Sequence, residues 1–213
     1  MKFKNLIIAG AIIFGNAISY SETRYVGGDI SLLPEYETAG AKYKDENNKP
    51  ISDLLPFLYD EGMNAMRVRL FVDPDTYAID HPYDPADPDN PVNFDPNACQ
   101  SLPYIIPLCK RIIDNGFSLL LDFHYTDQWA DPGKQWIPKA WEGLNDEELI
   151  LQVYEYTKNT LQTLSEEGIV PAFIRKGGAC NRHSISETLP NNNERGFNTA
   201  VIQGSNLKMS GIR

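Results

Sequence analysis

Residues Leu119–Trp141 read LLLDFHYTDQWADPGKQWIPKAW, and this stretch decides the fold. It opens as a strand. Phe117–Tyr125 is apolar and bulky, and it follows a helical pattern that stops at Asn115-Gly116. Side chains alternate across a strand, so Ser118, Leu120, Asp122 and His124 share one face while Leu119, Leu121, Phe123 and Tyr125 share the other. A short run that is apolar on both faces suits a parallel strand covered by helices. Polar groups enter only at its C-terminal end, as Asp122 and His124, and a loop dense in Asp, Trp, Pro and Gly follows. In α/β folds, sites lie beyond the carboxyl ends of strands. Aromatic rings beside carboxylates and an imidazole suit a sugar: a flat apolar platform for its C–H face and partners for its hydroxyls.

Working outward, the same alternation of strand and helix recurs. Tyr25–Leu33 reads as a first strand, and Ala41–Pro50 as a polar loop. Ser52 and Asp53 can cap a helix carrying Leu54, Leu55, Phe57 and Leu58, which ends at Glu61-Gly62. Asn64–Val72 is a second strand, with Arg67 and Arg69 on one face beside Ala65 and Phe71. Two arginines in an apolar strand are costly to bury unless paired, so they form either a structural ion pair or a fork for a carboxylate in the site. Asp73–Pro96 carries six prolines and reads as a long irregular loop of solvated acids, without the spacing of an EF-hand. Cys99–Asp114 is helical, with Pro103 in the first turn and Pro107 as a kink. Asn145–Gly168 is a long helix with acids at its N-terminus and a stripe of Leu149, Val153, Tyr156, Thr160, Leu161 and Leu164. Ile169–Ile174 begins a fourth strand. Three strand–helix units and part of a fourth argue for a parallel α/β architecture.

The 213 residues suffice for one domain with a real core but are short for a complete (β/α)8 barrel, which takes about 250. A net charge of −10 argues against a nucleic-acid partner and is compatible with a neutral polysaccharide. Lys2 and Lys4 precede an apolar run, Leu6–Ile18, too short to span a membrane; the expectation is a signal peptide over residues 1–21, cleaved after Ser19 or Ser21, and a secreted or periplasmic protein. No Cys follows that run to carry a lipid. Cys99, Cys109 and Cys180 are too few for a disulfide framework, and Cys109 reads as a small core hydrophobe.

Three segments, GGDISLLPEYETAGAKYKD (Gly27–Asp45), MNAMRVRLFVDP (Met63–Pro74) and DFHYTDQWADPGKQ (Asp122–Gln135), resemble the endo-β-1,4-galactanases of glycoside hydrolase family 53. The resemblance covers the first half of such an enzyme and stops near Ile174. It implies a (β/α)8 TIM barrel, here incomplete, over residues 22–174, and a β-1,4-galactan substrate, with no cofactor or metal. It also implies that Asp29, Arg69, Asp122, His124, Tyr125, Asp127 and Trp129 are substrate-side or supporting residues, with Trp129 nearest the sugar. From spacing alone Asp29 reads equally as a turn or cap residue.

The family's fourth strand ends in a pattern like FIQ-x-GNE, whose Glu is the general acid/base. Here Phe173–Asn181 reads FIRKGGACN, which puts Gly178 at the Asn and Ala179 at the Glu. The family's nucleophile Glu, on the seventh strand, has no counterpart, and retaining hydrolysis needs two carboxyls about 5 Å apart. Composition shifts at the same point: residues 175–213 hold six basic and two acidic residues and no helical or strand period. The expectation is a tail over residues 175–213 translated out of frame or past a false gene end, with a genuine divergent terminus as the alternative, and a chain without catalytic residues of its own. Its expected role is then either a galactanase by family, inactive as it stands, or a galactan-binding remnant or non-functional fragment. Cys180 and His183 fall short of a zinc motif.

Overall fold

The computed structural model describes residues 24–87, 90, 92–130 and 136–176. The elements in chain order are β1 (Gly27–Asp29), α1 (Leu33–Thr38), β2 (Tyr43–Lys44), β3 (Pro50–Ile51), α2 (Leu54–Asp60), β4 (Ala65–Leu70), α3 (Pro74–Asp80), α4 (Leu102–Asp114), β5 (Ser118–Phe123), α5 (Asp146–Glu166) and β6 (Phe173–Lys176), with 3-10 turns at Pro96–Ala98 and Lys139–Trp141. A four-stranded sheet of order β1-β4-β5-β6 carries the fold, and every pairing in it is parallel. Helices fill the crossovers, as parallel neighbours require.

The sheet is strongly curled. Tyr25, just before β1, meets Phe173 on β6 edge-to-face, with ring centroids 4.6 Å apart. A flat sheet with strands about 4.8 Å apart would hold β1 and β6 about 14 Å from each other. Side chains from the two outer strands therefore converge over one concave face, as in the wall of a barrel. The opposite face carries the core. Val68, Leu70, Leu119, Leu121 and Phe123 point toward Leu55 of α2, Ile105, Leu108 and Ile112 of α4, and Leu164 of α5. Cys109 lies in that core, fully buried.

Local chemistry accounts for the boundaries. Asp53 caps α2 by accepting from Leu55 N–H, and Gly62 follows with φ of 94°. Asn145 and Glu148 form a reciprocal capping box on α5. Pro103 sits in the first turn of α4 and Pro107 inside it. No helix among the described residues is long and apolar enough to cross a membrane.

Four sequence-based expectations need correction. The first strand stops at Asp29, and Leu33 opens α1 instead, because Pro34 in its first turn presets a helical φ. The polar loop Ala41–Pro50 carries β2 and opens β3, an antiparallel pair that ends at Ile51. The proline-rich run after Asp73 is regular at its start: Pro74 opens α3, and Asp73 caps it by accepting from Thr76 N–H at 3.1 Å. Its acids serve as local acceptors, Asp84 for Ala86 N–H and Asp95 for Asn97 N–H. Finally, β6 starts at Phe173 rather than Ile169 and runs through Lys176, so Arg175 pairs in register with Asp122.

Candidate functional site

The concave face carries charge. Arg67 on β4 donates through Nε to Asp122 Oδ2 on β5 at 2.8 Å, and its Nη2 contacts the same oxygen. Its Nη1 lies 2.9 Å from Asp29 Oδ2. Arg69, one pleat further along, reaches Asp29 with Nε at 3.1 Å and Nη2 at 3.2 Å. Ser31 Oγ also accepts from Arg69, through its backbone N–H at 2.9 Å and its Nε at 3.2 Å. Arg175 on β6 sits 3.7 Å from Asp122 Oδ2. Three guanidiniums thus share two carboxylates. Asp29 is also the turn residue that spacing allowed, since its Oδ1 accepts from Ser31 N–H at 3.1 Å.

Above this layer, at the C-terminal ends of β4 and β5, the aromatic groups gather. Trp129 lies edge-to-face against both Phe71 and His124, at 5.7 and 5.8 Å between centroids. The guanidinium carbon of Arg69 stands 4.5 Å from the Trp129 ring centroid, a cation–π contact. Phe71 and His124 face each other at 4.7 Å. His124 is 5% exposed, and neither ring nitrogen has a hydrogen-bond partner among the described residues; nor has Asp122 Oδ1. Buried polar atoms without partners are costly, so these are points where an added donor or acceptor gains most. Burial drives the His124 pKa down to about 4; Asp122 opposes this, and Arg67, Arg69 and Arg175 add to it. The imidazole is therefore neutral near pH 7.

The remaining sequence-selected residues lie elsewhere. Tyr125 takes φ of 50°, unusual for a bulky residue, and turns the chain out of the β5 direction. Its ring stacks on Phe123 in the core and its hydroxyl meets Thr157 Oγ1 at 2.9 Å, so it supports the bend rather than facing the concave side. Asp127 is buried, and both its oxygens take backbone N–H groups: Oδ1 from Asp73 at 3.0 Å, Oδ2 from Lys139 at 2.8 Å. Burial raises its pKa and those two hydrogen bonds partly offset the rise. The three tryptophans divide: Trp129 joins the cluster, Trp136 is exposed, and Trp141 is buried against Tyr156. Ala179 lies outside the described residues. Sequence reasoning gave no role to Ser31 or Arg175; no local signal marks Ser31, whose partner Arg69 is 38 residues away. Beside β1 a cavity of about 320 Å³ opens between the Asp29–Arg69 pair and the apolar Leu33, Tyr36, Tyr43 and Leu54.

A curled parallel sheet, with helices outside and polar and aromatic residues collected at the carboxyl ends of its strands, defines an α/β protein of the barrel class. The family model of Glycosyl hydrolase family 53 matches residues 25–206, and the chain belongs to that family. Relatives include an arabinogalactan endo-β-1,4-galactanase from Cellvibrio japonicus, 32% identical over 84% of this chain and 43% of its own length. An endo-β-1,4-galactanase from Bacillus subtilis is 35% identical over 76% of this chain and 34% of its own. Among solved structures, the GH53 catalytic domain of Ignisphaera aggregans superposes with a TM-score of 0.56 at 35% identity, over 70% of this chain and 38% of that one. A fungal β-1,4-galactanase gives 0.55 at 30% identity, over 71% and 39%. The chain thus spans less than half the length of the relatives it matches. The family match also runs past Ile174, which corrects the extent of the resemblance read from the three motifs; the added part falls largely outside the described residues.

Proposed function

We propose that the described residues form the substrate-holding part of an endo-β-1,4-galactanase, acting on the neutral galactan side chains of pectin rather than on nucleic acid. The observation that carries this reading is the Trp129 ring, braced by Arg69, Phe71 and His124 at the strand ends. A ring so fixed offers a flat apolar surface for the C–H face of a galactose unit. His124 and Asp122 Oδ1, buried and unpartnered among the described residues, supply polar partners for its hydroxyls. The names of the relatives support the galactan class.

The same geometry favours binding over cleavage by these residues alone. Asp29 accepts from Ser31 and pairs with both arginines, Asp122 is held by Arg67, and Asp127 has both oxygens on backbone N–H groups. Asp29 and Asp127 have both oxygens engaged and only Asp122 keeps one open among the described residues, so these residues do not supply the two carboxyls that retaining hydrolysis needs. The test pairs affinity electrophoresis in galactan-loaded gels with a reducing-end assay. Retardation without new reducing ends supports a binding role for this chain, retardation with them an enzyme, and no retardation refutes the galactan reading.

We also propose that the protein is exported, on the strength of Lys2, Lys4 and the apolar run Leu6–Ile18. Sequencing the N-terminus of material from the extracellular or periplasmic fraction tests this. A start after Ser19 or Ser21 agrees, and an intact Met1 contradicts it.

A further inference from the structure

We infer that Asp127 is the positioning residue of the site, its two carboxylate oxygens jointly setting how the Trp129 ring is presented. The carboxylate joins three separate pieces of chain. It lies two residues before Trp129. Its Oδ1 holds Asp73 N–H, at the mouth of the loop between β4 and α3, and its Oδ2 holds Lys139 N–H, at the start of the 139–141 turn. Neighbouring bonds fasten the same junction. Val72 N–H donates to Thr126 O at 2.9 Å, and Gln128 Nε2 donates to the Tyr77 hydroxyl at 2.7 Å. Thr126 Oγ1 donates to Gln128 O at 2.7 Å and accepts from Gln128 N–H at 3.1 Å, which closes the turn that leads into Trp129.

Two facts argue that this is alignment rather than general stabilisation. First, a carboxylate buried to 5% exposure with no cation on its oxygens among the described residues is an expensive way to satisfy two N–H groups, and burial raises its pKa accordingly. Second, both oxygens are needed, because each serves a different loop. A single-acceptor side chain would fasten one loop and release the other. The Trp129 ring sits where those loops meet the ends of β4 and β5, against Phe71 and His124, so a shift of the junction tilts the ring directly.

The test removes one of the two N–H donors. Lys139→Pro deletes the donor to Oδ2. Position 139 opens a 3-10 turn, and Pro138 before it is already extended (φ −51°, ψ 140°), as a residue preceding proline prefers. Lys139→Ala is the control: like the proline variant it loses the ion pair with Asp80, but it keeps the N–H. Nuclear Overhauser contacts of the Trp129 ring with Phe71 and His124 are the first readout and need no ligand. The second, resting on the galactan reading, is the affinity for β-1,4-galactotetraose by titration calorimetry. The inference expects the proline variant to lose those ring contacts and to bind about fivefold more weakly than the alanine variant, the worth of one hydrogen bond. Asp127→Asn, which keeps the volume and one acceptor, is expected to weaken the same ring contacts while those between Trp141 and Tyr156 persist. Identical ring contacts in the alanine and proline variants, or unchanged contacts in Asp127→Asn, overturn the inference. Altered ring contacts in a protein whose wild type binds no galactotetraose uphold it and refute the galactan reading instead.

Discussion

Arg67 and Asp122 are bound through Nε and Nη2 of the guanidinium to a single carboxylate oxygen, across adjacent strands and 55 residues of sequence. The other oxygen of Asp122 has no hydrogen-bond partner among the described residues. This pair ties β4 to β5 across the concave face of the sheet, and its asymmetry leaves one acceptor unused among the described residues.

Removing one member of the pair leaves the other with less compensation, since Arg67 keeps Asp29 at 2.9 Å and Asp122 keeps Arg175 at 3.7 Å. Asp122→Leu is expected to cost about 3 kcal/mol, because Arg67 and Arg175 then share a face with Asp29 as the remaining acid. Adding Arg67→Met to that variant should recover part of the loss. Urea unfolding of the two single variants and the double variant gives the coupling; simple additivity would show that the pair holds nothing together.

His124 makes stability pH-dependent. Its pKa is 6.5 in the unfolded chain and about 4 in the fold, so between those values the unfolded state binds the extra proton. Stability from this group is therefore complete above pH 6.5 and is lost as pH falls toward 4, by about 3 kcal/mol over the window. Asp127 has the opposite sign: with a raised pKa, its contribution is present below the unfolded value and lost as pH rises through the folded one. Chemical unfolding from pH 7.5 to 4.5 should show a steeper decline for wild type than for His124→Gln. Parallel curves would contradict the assignment.

Gly27 and Gly28 are adjacent in β1 and should behave oppositely. A Cβ on Gly27 would stand 1.6 Å from Ala65 O on β4, and one on Gly28 meets nothing within 4 Å. Gly27→Ala must push β1 off its neighbour, at a cost of about 3 kcal/mol. Gly28→Ala should change stability by less than about 1 kcal/mol, with unfolded-chain entropy favouring it. Thermal melts of both variants decide this, and equal midpoints would refute the β1–β4 packing.

Much of the fold was legible because its signals are local. The apolar runs of β4 and β5, the Asp53 and Asn145 caps and the glycines after α2 and α4 each announce themselves within a few residues. Errors arose where two local signals compete. Ile30–Leu33 is as apolar as a strand, yet Pro34 in the first turn of α1 wins. The prolines after Asp73 argue for a loop, yet Pro74 falls where a helix accepts it. The site was half legible. Period-two alternation grouped Arg67, Arg69 and Phe71 on one face of their strand and Asp122 and His124 on one face of theirs; only the parallel register, with Arg69 opposite Asp122, joins the two groups on the concave face. Alternation could not show that Trp129 returns to that face, since the return depends on the left-handed Tyr125 and on Asp127 bonding to residues 54 and 12 positions away. Nor could it separate Trp129 from Trp141, a difference only tertiary packing makes.

The measurement that bears most directly on the account is calorimetric titration of β-1,4-galactotetraose into the wild-type chain and into Trp129→Ala. The account predicts saturable binding to the wild type, weakened about tenfold or more in the variant, as for a buried aromatic anchor. No binding to the wild type, or equal affinity in both, would contradict it.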